Sequence, residues 1–132
     1  MRVSTIALQP AFDRLDQIAD LGPNWDSYGA ASISSTAIAA TQQLLTTLDG
    51  RLGAAGERLQ PYAIVPIANG GLQIEWRRPE NNLEVEIGPG GEMAYLLLTG
   101  QAPARVFEEQ DQVTEDSLLE LLERILTEQP HH

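Results

Sequence analysis

The chain has no cysteine and no lysine, and its two histidines, His131 and His132, are its last two residues. Without cysteine there are no disulfides, thiolate metal sites or cysteine nucleophiles. Without lysine there is no Schiff-base chemistry and no phosphate-loop lysine. The terminal histidine pair reads as a remnant of an affinity tag. Setting it aside removes the commonest general base and the commonest zinc ligand. Long apolar runs are also missing, so no membrane span and no leader segment is expected, and the default compartment is the cytoplasm.

Positive charge is scarce as well. The 132 residues carry 19 acidic side chains against 8 basic ones, all arginine, for a net charge of −11. Sequence-independent nucleic-acid binding needs a basic face that releases counterions, so no nucleic-acid partner is expected. Strong acidity serves solubility, and it also suits a basic protein partner recruited by complementary charge. The length is that of one ordinary domain, and residues 1–132 are read as one.

Helical spacing appears at both ends of the chain. Over residues 10–21, Phe12, Leu15, Ile18 and Ala19 recur at helical intervals until Gly22-Pro23 stops the pattern. A second helix is expected from Thr36 to Leu48, capped by Ser34 or Ser35, with Ile38, Thr41, Leu45 and Leu48 facing inward and Gly50 ending it. Residues 53–56 read as a connector. A third helix is expected from Glu115 to about Glu128, capped by Thr114 and carrying a broad leucine face.

Between them the period changes to two. Leu72, Ile74 and Trp76 alternate with polar residues, as do Leu83, Val85 and Ile87, which predicts two half-buried strands. Asn69-Gly70 predicts a type I′ hairpin joining a strand at 62–67 to one at 71–77, with Pro66 placing the first on a sheet edge. Pro89-Gly90 turns into a fourth strand at 92–98, and a short fifth is expected from Arg105 to Glu108. The fold class is therefore α+β: an antiparallel meander of four to five strands with two N-terminal helices and one C-terminal helix.

Turn positions imply a register. Ile67 falls opposite Leu72, Val65 opposite Ile74 and Ala63 opposite Trp76. A four-residue loop at 78–81 places Trp76 opposite Leu83 and Ile74 opposite Val85. The Pro-Gly turn places Val85 opposite Ala94 and Leu83 opposite Leu96. A one-residue slip in the central pair would set Trp76 against Glu84. The same pairing puts Glu75 opposite Glu84 and Gln73 opposite Glu86 on the other face, and like charges across a strand pair are destabilising. Arg77, Arg78 or Arg105, a basic partner, or a bound cation could offset them.

Three further features have a structural and a functional reading each. The loop Asn24-Trp25-Asp26-Ser27-Tyr28-Gly29-Ala30 holds two of the chain's seven aromatics within four residues. It is either a self-contained plug, or a binding site using Asn24, Trp25, Asp26 and Tyr28. The C-terminal leucines are either core or a homodimer seam through Leu118, Leu122 and Ile125. Paired carboxylates among Asp26, Glu75 and Glu84 could serve a carboxylate- or metal-dependent hydrolase, though no spacing brings them together. No phosphate loop or nucleophile elbow is present.

Taken in order, Asn24 to Ala30, Ile33-Ser34, Pro66 to Gly71, Gly71 to Trp76 and Leu83 to Ile87 resemble a set of small bacterial proteins to which no activity is assigned. The resemblance covers about residues 15–98 and implies a bacterial or phage origin; it supplies no catalytic residues. The leading expectation is a non-enzymatic partner-binding module of antitoxin, immunity or inhibitor type. Its contact residues would be Asn24, Trp25, Asp26, Tyr28, Glu75, Glu84 and Glu86, with no cofactor and no metal. A secretion-chaperone-like dimer and the hydrolase are the alternatives.

Overall fold

Alternation along residues 72–77 and 81–87 produces the centre of a β-sheet, and every other element is arranged around it. The computed structural model describes residues 8–53, 58–100 and 103–127. Among them, three helices and five strands follow one another: α1 (Gln9–Ala19), α2 (Ser35–Leu52), β1 (Ala63–Pro66), β2 (Leu72–Arg77), β3 (Asn81–Ile87), β4 (Met93–Thr99), β5 (Val106–Val113) and α3 (Glu115–Thr127). The strands form one antiparallel meander in the order β1-β2-β3-β4-β5. The fold is α+β. The connector residues 54–56 and both histidines lie outside the described residues.

One face of the sheet carries the core. Trp76 is fully buried opposite Leu83, and Ile74 opposite Val85, as expected. Trp76 also donates its indole N–H to the Leu59 carbonyl at 2.9 Å, so its one polar atom is satisfied inside. Against this face pack Ala11, Leu15 and Ile18 of α1, then Ala37, Ile38, Leu44, Leu45 and Leu48 of α2. From α3 come Leu118, Leu119, Leu121, Leu122, Ile125 and Leu126. Ala19, expected on the inner stripe of α1, is exposed.

Both flanking registers differ from expectation by one residue, for one reason. The β1–β2 connection is a three-residue loop, 68–70, in which Gly70 alone takes positive φ (96°) and Asn69 does not. Ile67 N–H donates to the Gly71 carbonyl (2.9 Å) and Gly70 N–H to the Ile67 carbonyl (3.0 Å). This is a tight turn closed by a glycine in the left-handed region rather than a type I′ turn. Ile64 therefore pairs with Ile74 and faces the core, while Val65 pairs with Gln73 and faces out. The Pro89–Gly91 loop repeats the device. Gly91 has φ 88°, Gly88 N–H reaches the Glu92 carbonyl and Gly91 N–H the Gly88 carbonyl, each at 2.8 Å. Val85 thus pairs with Tyr95 and Leu83 with Leu97.

Two elements run further than expected. Gly50 does not end α2, which continues to Leu52. β5 extends to Val113 instead of stopping at Glu108. A bulge opposite Met93–Tyr95 interrupts its pairing, with Gln112 at φ 53°. Bulges of this kind bend an edge strand and re-aim its side chains.

Ser34 ties the helices to the turns. Its hydroxyl accepts from the N–H groups of Thr36 (3.0 Å) and Ala37 (3.2 Å), capping α2, and donates to the Pro89 carbonyl at 2.6 Å. Ser34 N–H reaches the Gly70 carbonyl at 2.8 Å, so one residue pins both hairpin turns. The two turns also approach closely at Gly71. A Cβ there would stand 2.4 Å from the Ile87 carbonyl oxygen and 3.1 Å from Gly88 Cα, both backbone atoms. Gly71→Ala should therefore destabilise by about 1–3 kcal/mol. Gly22→Ala, with nothing within 4 Å of its Cβ, should stay within roughly 0.5 kcal/mol. Urea unfolding of the two variants checks this; equal midpoints would contradict the close approach.

Candidate partner-binding face

The register that buries Trp76 dictates what the opposite face displays. Outward-facing positions are Gln73, Glu75 and Arg77 on β2, Asn82, Glu84 and Glu86 on β3, and Ala94, Leu96 and Leu98 on β4. On β5, Glu109 lies opposite Leu96 and Phe107 opposite Leu98. The expected opposition of Glu75 to Glu84 and of Gln73 to Glu86 is present.

The β2 side of this face is compensated locally. Arg77 Nε donates to Glu75 Oε2 at 2.7 Å, and Asn82 Nδ2 to the same oxygen at 3.3 Å. The guanidinium lies over the Tyr62 ring, 3.7 Å from its centroid. The Glu75 carboxylate raises the Arg77 pKa above its ordinary value. Arg78 takes no part in this: it donates to the Arg77 and Arg58 carbonyls. Burial, then Arg58, lowers its pKa.

Toward β5 the face changes character. A depression of about 240 Å³ is lined by Gln73, Glu84, Glu86, Ala94, Tyr95, Leu96, Glu109 and Asp111. A second, of about 310 Å³, shares Glu86, Ala94 and Asp111 with it and adds Glu92 near the Pro89 turn. Together they present, among the described residues, five carboxylates and no basic side chain. On the inward side of β4, the Tyr95 hydroxyl donates to Glu108 at 2.5 Å. Burial, then that bond, pushes its pKa up to about 12.

The Asn24–Ala30 loop spends its polar groups on itself. Asn24 Oδ1 accepts from Gly29 N–H at 2.6 Å, and Asp26 Oδ1 from Tyr28 N–H (2.8 Å) and Ala30 N–H (3.1 Å). Trp25 is half-buried against the core and donates its indole N–H to the Ala31 carbonyl at 2.9 Å. Tyr28 is the exception, 92% exposed at the tip.

Of the residues expected to form a contact site, Glu84 and Glu86 come together in the first depression. Glu75 is held by Arg77, while Asn24, Trp25 and Asp26 belong to the loop's internal bonding. Tyr28 stands apart on the loop. Asp26 and Glu75 line neither depression, so the carboxylate set considered for a hydrolase is not gathered there. Leu118, Leu122 and Ile125, read as either core or a homodimer seam, lie in the core at 0%, 0% and 5% exposure. A seam on α3 would have to use other side chains. The described residues include no group of three or more histidine, aspartate or glutamate side chains placed to hold a metal. No helix among them is long and apolar enough to cross a membrane.

Glu92, Glu109, Asp111 and Phe107 were not singled out from sequence, and Leu96 was expected opposite Leu83 on the core face rather than opposite Glu84. The uninterrupted run from Val106 to Val113, without glycine or proline, was the available sign that β5 is long. Comparison with protein-family models, curated proteins and solved structures finds no match.

Asp26→Ala strips a carboxylate that satisfies two backbone N–H groups and should destabilise by about 1–3 kcal/mol. Tyr28→Ala should change stability by less than about 0.5 kcal/mol. Thermal melts of both decide whether the loop is held as described. Separately, Arg77→Ala should lower the melting temperature, and Glu84→Gln should recover part of that loss in the Arg77→Ala background while changing the wild type less. Recovery equal in both backgrounds would mean that Arg77 does not offset the Glu75–Glu84 opposition.

Proposed function

We propose that the protein is a non-enzymatic binding module, of the kind that antitoxins, immunity proteins and inhibitors represent, and that its outer sheet face receives a basic protein. One observation carries the reading: Glu84, Glu86, Glu92, Glu109 and Asp111 line two adjoining depressions to which no basic side chain among the described residues contributes. The Glu75 end of the same face has its own arginine. A surface that is compensated on one side and left acidic on the other suits complementary charge from outside. Leu96 and Leu98 are half-buried and Phe107 is 68% exposed on this face. They add the apolar contact that gives a charged encounter its residence time.

The test is affinity capture from the native host. Wild type should retain a basic protein at low salt and release it as ionic strength rises through the range where exposed charges are screened. Glu84→Gln/Glu86→Gln/Asp111→Asn should fail to retain it, whereas Tyr28→Ala leaves capture by this face unchanged. A captured protein that is acidic, or that the triple variant holds equally well, would count against the reading.

A further inference from the structure

The sheet has two edges, and they are treated differently. β1 is four residues long and contains Pro66, which has no N–H to offer. The Ile64 carbonyl on β1 is occupied by Arg14, whose Nε donates to it at 3.0 Å. β5 is twice as long, and no strand lies beyond it among the described residues. Seven of its eight residues are exposed and the eighth is intermediate, so among the described residues both its faces and its edge are open. Val106 and Phe107, 63% and 68% exposed, stand at one end of it. An exposed edge strand with exposed apolar side chains is a template for pairing with another chain.

The charges say which chain. β5 carries Glu108, Glu109 and Asp111 and no basic residue. A second copy would set three carboxylates against three, and like charges across a strand pair are destabilising. A basic strand meets the opposite condition. Its cationic side chains on the outer face would lie beside Glu109 and Asp111, which also line the acidic depression.

We infer that β5 is a strand-addition site: an extended basic segment of a protein partner pairs with its free edge as a sixth strand. This rests on the reading of the outer face as a receptor for a basic protein, and specifies how the partner is held. Main-chain hydrogen bonds supply the common part of such recognition, and alternate side chains the selectivity. The bulge at Gln112 limits the straight pairing length to the part of β5 before it.

The test uses the full chain and a capped peptide of alternating arginine and valine, with amide hydrogen exchange read residue by residue. At a free peptide concentration ten times its Kd, β5 amides turned away from β4 should gain roughly tenfold protection. Those amides should alternate along residues 106–111, and β2 amides should not change. A glutamate-valine peptide should give no protection. Arginine-valine binding that protects no β5 amide would overturn strand addition while leaving a basic partner for the outer face intact. No binding of the arginine-valine peptide at low salt would overturn strand addition too; capture by the triple carboxylate variant still decides the wider reading. Protection of the same amides in the free protein, growing with its own concentration, would show a second copy at the edge and would equally overturn it.

Discussion

The pairing of Trp76 with Leu83 is the constraint on which the rest depends. Trp76 is the largest fully buried side chain, and removing a buried tryptophan typically costs about 3–5 kcal/mol. A sheet has a side-chain period of two, so a register that sends Trp76, Ile74, Leu83 and Val85 inward must send Glu75 and Glu84 outward together. Which residues of β2 and β3 form the outer face is therefore a consequence of the core. What the protein can vary is how that acidity is met. At β2 it is met by Arg77, held over Tyr62; from β3 to β5 it is not met by any side chain lining the depressions.

The two glycine-closed turns decide which residues share that face. With Gly70 and Gly91 each closing a three-residue loop, Val65 turns outward on β1, and Leu96 and Leu98 turn outward on β4. Had the second turn placed Leu83 opposite Leu96, those leucines would face the helices and Tyr95 would face out. Ser34 couples the turns to α2, through Pro89 on one side and Gly70 on the other. The arrangement of the outer face and the docking of the helix are thus set by the same few backbone groups.

The element order, the central register, the edge position of β1 and an N-cap at Ser34 or Ser35 were legible in the sequence, the register because burial of one face leaves β2 and β3 a single workable pairing. The flanking registers were not. Residues 63–66 and 93–98 are apolar on both faces, so alternation does not distinguish one register from its neighbour. The deciding quantity is the φ of single residues in the turns, and Asn-Gly or Pro-Gly admits more than one solution. Of the contact residues expected, Glu84 and Glu86 face outward because the central register sends them there, and both line the first depression. The β5 half of the face was hidden for a different reason: Glu108 to Gln112 is polar throughout and has no core-facing signal, since both faces of that strand are exposed.

If the acidic face is kept for a partner at some expense to the free fold, neutralising it stabilises the free protein, and unfolding measurements test that most directly. The measurement is urea unfolding at low and moderate salt for wild type and for Glu84→Gln/Glu86→Gln/Glu109→Gln/Asp111→Asn. A control variant neutralises Asp13, Asp16, Glu120 and Glu123 on the helices. The face variant should be more stable than both wild type and control at low salt, with the difference shrinking as salt screens the carboxylates. A face variant less stable than wild type would mean that these carboxylates hold the fold together, and would contradict the account.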